Sequence, residues 1–123
     1  MNTPRILVVE DERLIARDIC MLLTDFGYTP VGPASTGEQA IALAAEFRPQ
    51  LVLMDIHLGS AMDGITAAQA IHSQFGISCL FLSAFSMGEQ LDRARLAEPL
   101  GYLGKPFLEN EMRDAIAQAL AVR

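Results

Sequence analysis

The chain has 123 residues, 51% of them hydrophobic and 20% charged, with a formal net charge of −6. That length fits one domain, 1–123, and the apolar fraction supports a core without disulfide staples. The acidic balance argues against nucleic acid or an anionic membrane as the main partner, and it suits a divalent cation if the carboxylates cluster.

Two cysteines, Cys20 and Cys79, lie inside apolar segments and outside any CxxC or metal spacing. They read as buried free thiols in a reducing compartment. The opening MNTPRILVVEDE lacks the basic and long apolar regions of a secretion signal. No apolar run reaches the length of a membrane span. A soluble cytoplasmic protein is the expectation.

In chain order, RILVV (5–9) predicts a strand. ERLIARDICMLLTDFG (12–27) predicts a helix, with Leu14, Ile15, Ile19, Leu22, Leu23 and Phe26 at helical spacing and Gly27 as the stop. YTPVG (28–32) is a weak second strand, which its proline confines to an edge or a strand end. STGEQAIALAAEF (35–47) opens on Ser35 or Thr36 as a cap and turns Ile41, Ala44 and Ala45 inward.

LVLM (51–54) is the third strand, GITAAQAIHSQFG (64–76) the third helix and SCLFLS (78–83) the fourth strand. GEQLDRARLAE (88–98) is a short polar helix stopped near Pro99, and GYL (101–103) a weak fifth strand. ENEMRDAIAQALAV (109–122) closes the series, with Met112, Ala115, Ile116, Ala119 and Leu120 as its buried face. Strand and helix alternate five times. The connections are too long for hairpins and suit right-handed parallel crossovers. Apolar runs without polar alternation mark strands covered on both faces. The fold class is therefore α/β, a three-layer (βα)5 doubly wound parallel five-stranded sheet.

In such a sheet, ligands bind at the carboxyl ends of the strands. The first strand delivers Glu10 and Asp11 there, the third Asp55, the fourth Ser83 and the fifth Lys105. Three gathered carboxylates repel one another unless a cation sits among them. An all-oxygen set suggests Mg²⁺ or Mn²⁺ in place of zinc. A serine and a lysine facing that cation suit a phosphoryl group, so the rim could support phosphoryl transfer onto a carboxylate nucleophile. Each residue also has a plainer reading. Glu10 and Asp11 could cap the following helix, Ser83 and Asp55 could be turn residues, and Lys105 could be a solvated surface lysine. The specificity lies in the combination and its order along the chain.

ILVVEDE, LVLMDIHL, MDG, LSA and GYLGKPF together resemble the bacterial response-regulator receiver domain over nearly the whole chain. The resemblance implies a flavodoxin-like strand order, 2-1-3-4-5. It implies that Asp55 accepts a phosphoryl group from a histidine kinase or histidine phosphotransfer protein. Asp11 and Asp55 would ligate Mg²⁺ through their side chains, His57 through its backbone carbonyl, and Glu10 would hold a metal-bound water. Lys105 would pair with the phosphoryl oxygens, Ser83 would hydrogen-bond one of them, and Tyr102 occupies the aromatic switch position. His57 and Phe85, each two residues past a site residue, would border the path of a hydrolytic water and set the lifetime of the phosphorylated state. The face of the fourth helix, fifth strand and fifth helix would then dimerise or dock a downstream partner or output domain. The chain is thus expected to be a signalling switch that catalyses only its own phosphotransfer and dephosphorylation.

This sequence departs from the family pattern in four places, one of which is AEPLGY in place of the small-residue helix end often seen, which predicts a short fourth helix. Glu10-Asp11 stands where two aspartates are common, Gly59 replaces the usual proline, and the loop to MDG is one residue longer.

GPASTGE (32–38) has the glycine spacing of a P-loop but lacks the lysine and hydroxyl that must follow. Acidic groups after the first strand would repel a flavin phosphate. A haloacid-dehalogenase-type phosphatase would want a second acid at position 57, which is histidine. The alternative that survives is a receiver-like interaction domain that works without phosphorylation.

Overall fold

The computed structural model describes residues 3–59, 61–83 and 91–122. Ten elements alternate: β1 (Arg5–Val9), α1 (Arg13–Asp25), β2 (Thr29–Ala34), α2 (Gly37–Phe47), β3 (Leu51–Asp55), α3 (Gly64–Phe75), β4 (Cys79–Ser83), α4 (Leu91–Arg95), β5 (Gly101–Gly104) and α5 (Glu109–Val122). The five strands form one sheet in the order β2-β1-β3-β4-β5, and every neighbouring pair is parallel. This is the flavodoxin-like arrangement expected from the sequence.

Alternation along the strands divides the core in two. Leu7, Val9, Val52, Met54 and Phe81 face α2 and α3, where they meet Ala40, Ala44, Ile65 and Ile71. Ile6, Val8, Leu53, Leu80 and Leu82 face α1 and α5, where they meet Ile19, Leu23, Met112 and Ile116. β3 and β4 are buried along their whole length because helices cover both faces. β2 lies at the sheet edge, as its prolines require, but runs on to Ala34, with a register irregularity opposite Leu7–Val9.

Two residues of the expected apolar helix faces point outward instead. Leu14 is 74% exposed, and Ala45 is also exposed. At 100° per residue, Leu14 lies about 140° around α1 from Ile19, whereas Ile15, Ile19 and Leu23 form one stripe with Ala16 beside it. Ala45 lies about 100° from Ala44, while Ala40 and Ala44 sit four apart on the buried face. Thr36, not Ser35, caps α2, accepting a hydrogen bond from the Gln39 N–H at 3.1 Å. The short fourth helix is present over Leu91–Arg95, while residues 88–90 of its expected span lie outside the described residues. Among the described residues, no helix is long and apolar enough to cross a membrane.

Candidate functional site

The parallel winding brings the carboxyl ends of β1, β3, β4 and β5 to one rim. Register fixes their relative heights. Val9 pairs with Met54, Asp55 with Leu82, and Ser83 with Gly104. Glu10 and Asp11 therefore leave β1 beside Asp55, and Lys105 leaves β5 beside Ser83. The Lys105 backbone N–H donates to the Ser83 carbonyl at 2.7 Å, which ties these two ends together.

Glu10, Asp55 and Ser83 are the buried polar residues of the described chain, at 2%, 4% and 5% exposure. Glu10, Asp11 and Asp55 each offer a carboxylate oxygen, and these oxygens lie within 4.8 Å of one another. At that separation, each pair of like charges repels by roughly 3.5 kcal/mol at an effective dielectric near 20. Lys105 enters this field from β5. Its Nζ lies 2.5 Å from Glu10 Oε1 and 3.4 Å from Asp55 Oδ2. One lysine offsets only one of three negative charges. The remainder, and the all-oxygen character of the cluster, fit a hard divalent cation.

The protonation of the cluster follows from this imbalance. Burial pushes the Glu10 carboxyl above its ordinary value, and the Asp55 charge adds to that push against the pull of Lys105. Burial alone would lower the Lys105 pKa, but the hydrogen bond to Glu10 and the Asp55 charge outweigh it, and the net shift is upward. Lys105 is therefore firmly cationic at neutral pH.

Backbone amides orient the three carboxylates. The Glu12 N–H donates to Glu10 Oε2 at 3.1 Å, the His57 N–H to Asp55 Oδ1 at 3.2 Å, and the Gly59 N–H to Asp11 Oδ2 at 2.8 Å. Two of these amides come from the β3–α3 loop. That loop is short of space where it meets α3. A Cβ at Gly64 would lie 1.9 Å from the Asp55 carbonyl oxygen and 2.8 Å from the carbonyl carbon, so only glycine fits. Asp63 caps α3 by accepting from the Thr66 N–H at 2.8 Å, and Arg93 of α4 donates to its carboxylate at 3.0 and 3.3 Å. Burial would raise the Asp63 pKa, but the bonds from Arg93 and Thr66 prevail and lower it.

Glu10, Asp11, Asp55, Ser83 and Lys105 thus all arrive at one rim, as the sequence suggested. His57 is there through its backbone. Tyr102 stands apart on β5, 42% exposed, with its ring stacked on Phe81 at 6.0 Å between centroids. Phe85 lies outside the described residues. Sequence reasoning did not anticipate the direct pairing of Lys105 with Glu10, nor the roles of Gly59 and Gly64. MDG carried the only signal for Gly64, a glycine at the start of a helical pattern.

The model of the response regulator receiver domain family matches residues 6–117. The chain is 39% identical over 117 residues to the transcriptional regulatory protein PdtaR of Mycobacterium tuberculosis, covering 95% of this chain and 57% of that protein. It is 33% identical over 118 residues to the chemotaxis protein CheY of Bacillus subtilis, covering 94% and 97%. The signal receiver domain of a modulated diguanylate cyclase from Desulfovibrio desulfuricans G20 superposes with a TM-score of 0.90 at 32% identity, covering 98% and 95%. The chain spans about half the length of several curated relatives it matches, PdtaR among them.

The contact at Gly64 gives a stability test of opposite sign to helix propensity. Glycine to alanine in a helix ordinarily stabilises by about 1 kcal/mol. Gly64→Ala is expected to destabilise the chain by about 1–3 kcal/mol, because its Cβ meets backbone that cannot turn aside. Urea denaturation of the two chains measures the difference, and a gain in stability would contradict the packing described.

Proposed function

The chain belongs to the response regulator receiver domain family of two-component signalling, and from that premise we propose that residues 1–123 form one receiver domain whose phosphoacceptor is Asp55. The family is a signalling module, not a classical enzyme, and receiver domains interact with histidine kinases. The observation that carries the proposal is the placement of Asp55. It is a carboxylate at the end of a fully buried strand, held by an amide on one oxygen and lying 3.4 Å from a lysine on the other. A turn aspartate needs neither burial nor a lysine.

The donor is a phosphohistidine on a histidine kinase or histidine phosphotransfer protein. An Asp55 carboxylate oxygen attacks phosphorus, the O–P bond forms as the P–N bond breaks, and the departing imidazole takes up a proton. Asp11 and Asp55 would hold Mg²⁺ through their carboxylates, His57 through its backbone carbonyl and Glu10 through a water, with Mn²⁺ as the alternative. When bound, the cation supplies charge neutralisation for the phosphoryl oxygens. The position of Lys105 supports a part in pairing with those same oxygens. A largely apolar cleft lies beside Lys105, walled by Ile15, Leu22, Pro106 and Phe107, with Asp18 at its lining.

Phosphorylation would draw Ser83 toward Asp55 and let Tyr102 turn inward, biasing an equilibrium between two packings. The outward position of Tyr102 supports this as the unphosphorylated state. The face of α4, β5 and α5 would then carry the change to a second copy, a downstream partner or an output domain. The cytoplasm is the proposed compartment, supported by two cysteines that form no disulfide.

Mg²⁺-dependent labelling with acetyl phosphate tests the assignment. The parent chain is expected to be labelled, and Asp55→Asn to lose labelling while keeping its circular dichroism spectrum. Undiminished labelling of that variant would move the acceptor elsewhere, and an unlabelled parent would leave a receiver-like interaction domain. His57 and Phe85 are proposed to set the lifetime of the phosphorylated state, with the bulk of Phe85 excluding water. Labelled Phe85→Ala is expected to lose phosphate faster than the parent. An unchanged or slower rate would reject occlusion, and slower loss from His57→Ala would then favour an imidazole that holds the water.

A further inference from the structure

We propose that Arg93 is a latch that holds α4 against the start of α3, and that this charged contact sets the place of α4 more than core packing does. The latch stands on contacts between the two helices alone. That α4 belongs to a partner-facing surface rests on the function proposed above. Arg93 spends its whole head group on α3. Its Nη1 donates to Asp63 Oδ2 at 3.0 Å, and its Nη2 donates to Asp63 Oδ1 at 3.3 Å and to Thr66 Oγ1 at 3.1 Å. Its carbonyl accepts from Gln69 Nε2 at 2.9 Å. Further along, Glu98 Oε2 lies 3.7 Å from His72 Nε2, an ion pair when the imidazole is protonated. Asp63, Thr66, Gln69 and His72 recur every third residue, so they follow one inclined row on α3 from its cap onward. The chain from Arg93 to Glu98 lies along that row.

Packing gives α4 little support of its own. The helix has five residues, Leu91–Arg95, far fewer than a helix needs to stand alone. From Asp92 to Glu98 only Ala94 and Ala97 are buried, and each brings a single methyl group to the core. The turn that ends the helix is tight. The N–H groups of Leu96, Ala97 and Glu98 donate three residues back, to the carbonyls of Arg93, Ala94 and Arg95, at 3.1, 3.1 and 3.0 Å. A segment with so few buried groups opens locally at a small free energy.

A partly exposed ion pair adds little to a whole domain, but it counts where the local balance is nearly even. A pair of this kind shifts an equilibrium by about two- to five-fold. Applied to α4, that is the same change in how often the helix is out of place. Burial would raise the Asp63 carboxyl, but the bonds from Arg93 and Thr66 lower it, so the carboxylate stays charged at neutral pH. Both partners of the latch are partly exposed, so dissolved salt screens it. Two buried methyl groups are not screened. Salt therefore separates a charged latch from packing, and it would tune how α4 is presented to a partner.

The test is amide hydrogen exchange of the full chain at neutral pH, followed by ¹H–¹⁵N NMR at Leu96, Ala97 and Glu98. In the parent these amides are expected to exchange far faster than Val52 in the central sheet, because α4 opens alone. Arg93→Met removes every side-chain donor and keeps a similar helix propensity. It is expected to speed exchange at the three amides about two- to five-fold. Added NaCl is expected to speed them in the parent but not in Arg93→Met. The Asp92–Arg95 pair, 3.9 Å apart, is present in both chains and cancels from that comparison. Asp63→Asn keeps a capping oxygen and removes the charge, and in that background Arg93→Met is expected to have a much smaller effect. Unchanged exchange in Arg93→Met, an equal salt response of the two chains, or an equal effect of Arg93→Met with and without Asp63 would each overturn the latch. So would α4 amides that exchange only as fast as Val52. A parent chain that acetyl phosphate does not label would overturn the receiver reading and leave these exchange outcomes untouched.

Discussion

A single lysine set among three carboxylates is the constraint around which the rest of the molecule is arranged. Lys105 Nζ touches Glu10 and approaches Asp55, and both acids are almost wholly removed from water. Buried charges of one sign are expensive, and a lone lysine cannot neutralise these two and the more exposed Asp11 as well. The site is therefore held in electrostatic tension by the fold around it. That tension is useful. A group of carboxylates that is short of positive charge has a standing affinity for a divalent cation. A lysine with two acidic neighbours can follow new negative charge when it appears on either of them.

The fold sustains this tension with rigid parts. Five parallel strands end at one rim, and their register places the acids of β1 and β3 and the lysine of β5 there without any long loop. The two hydrophobic cores fix the sheet from both sides. The loop after β3 closes the arrangement. It begins at Asp55, lends amides to Asp55 and Asp11, and is anchored where Gly64 packs against the Asp55 carbonyl. Arg93 clasps the Asp63 cap at the start of α3, so α4 is joined to the same loop end. Asp55 is thus joined to α4 through packed backbone and one ion pair. Since Asp63 and Arg93 are both partly exposed, that pair adds little stability.

Much of this was legible in the sequence because it follows from period and position. Runs such as LVLM and SCLFLS, short and apolar between helical patterns, read as central strands in an alternating chain, and polar residues directly after them meet at one edge. The helix faces were read less well. Leu14 and Ala45 are apolar and adjacent to buried positions, yet the turn of the helix carries them outside, and small alanines such as Ala40 take the places nearest the sheet. Apolar identity alone does not separate such neighbours. The rest was hidden for a different reason. Gly59 and Gly64 act through an amide and through the absence of a Cβ, and such roles depend on which backbone lies opposite. The pairing of Lys105 with Glu10 was hidden similarly. The sequence showed that both reach the rim but could not rank the three acids as partners for one lysine.

The central claim is that Asp55 itself carries the phosphoryl group, and the acyl phosphate can be located chemically. Borohydride reduces an aspartyl phosphate to homoserine and leaves free carboxylates untouched. The parent chain, phosphorylated in the presence of Mg²⁺, reduced and mapped by peptide mass spectrometry, should contain homoserine at position 55 and retain aspartate at position 11. Homoserine at position 11, a reduced side chain at Glu10, or an unmodified Asp55 in chain shown to be phosphorylated would contradict the account.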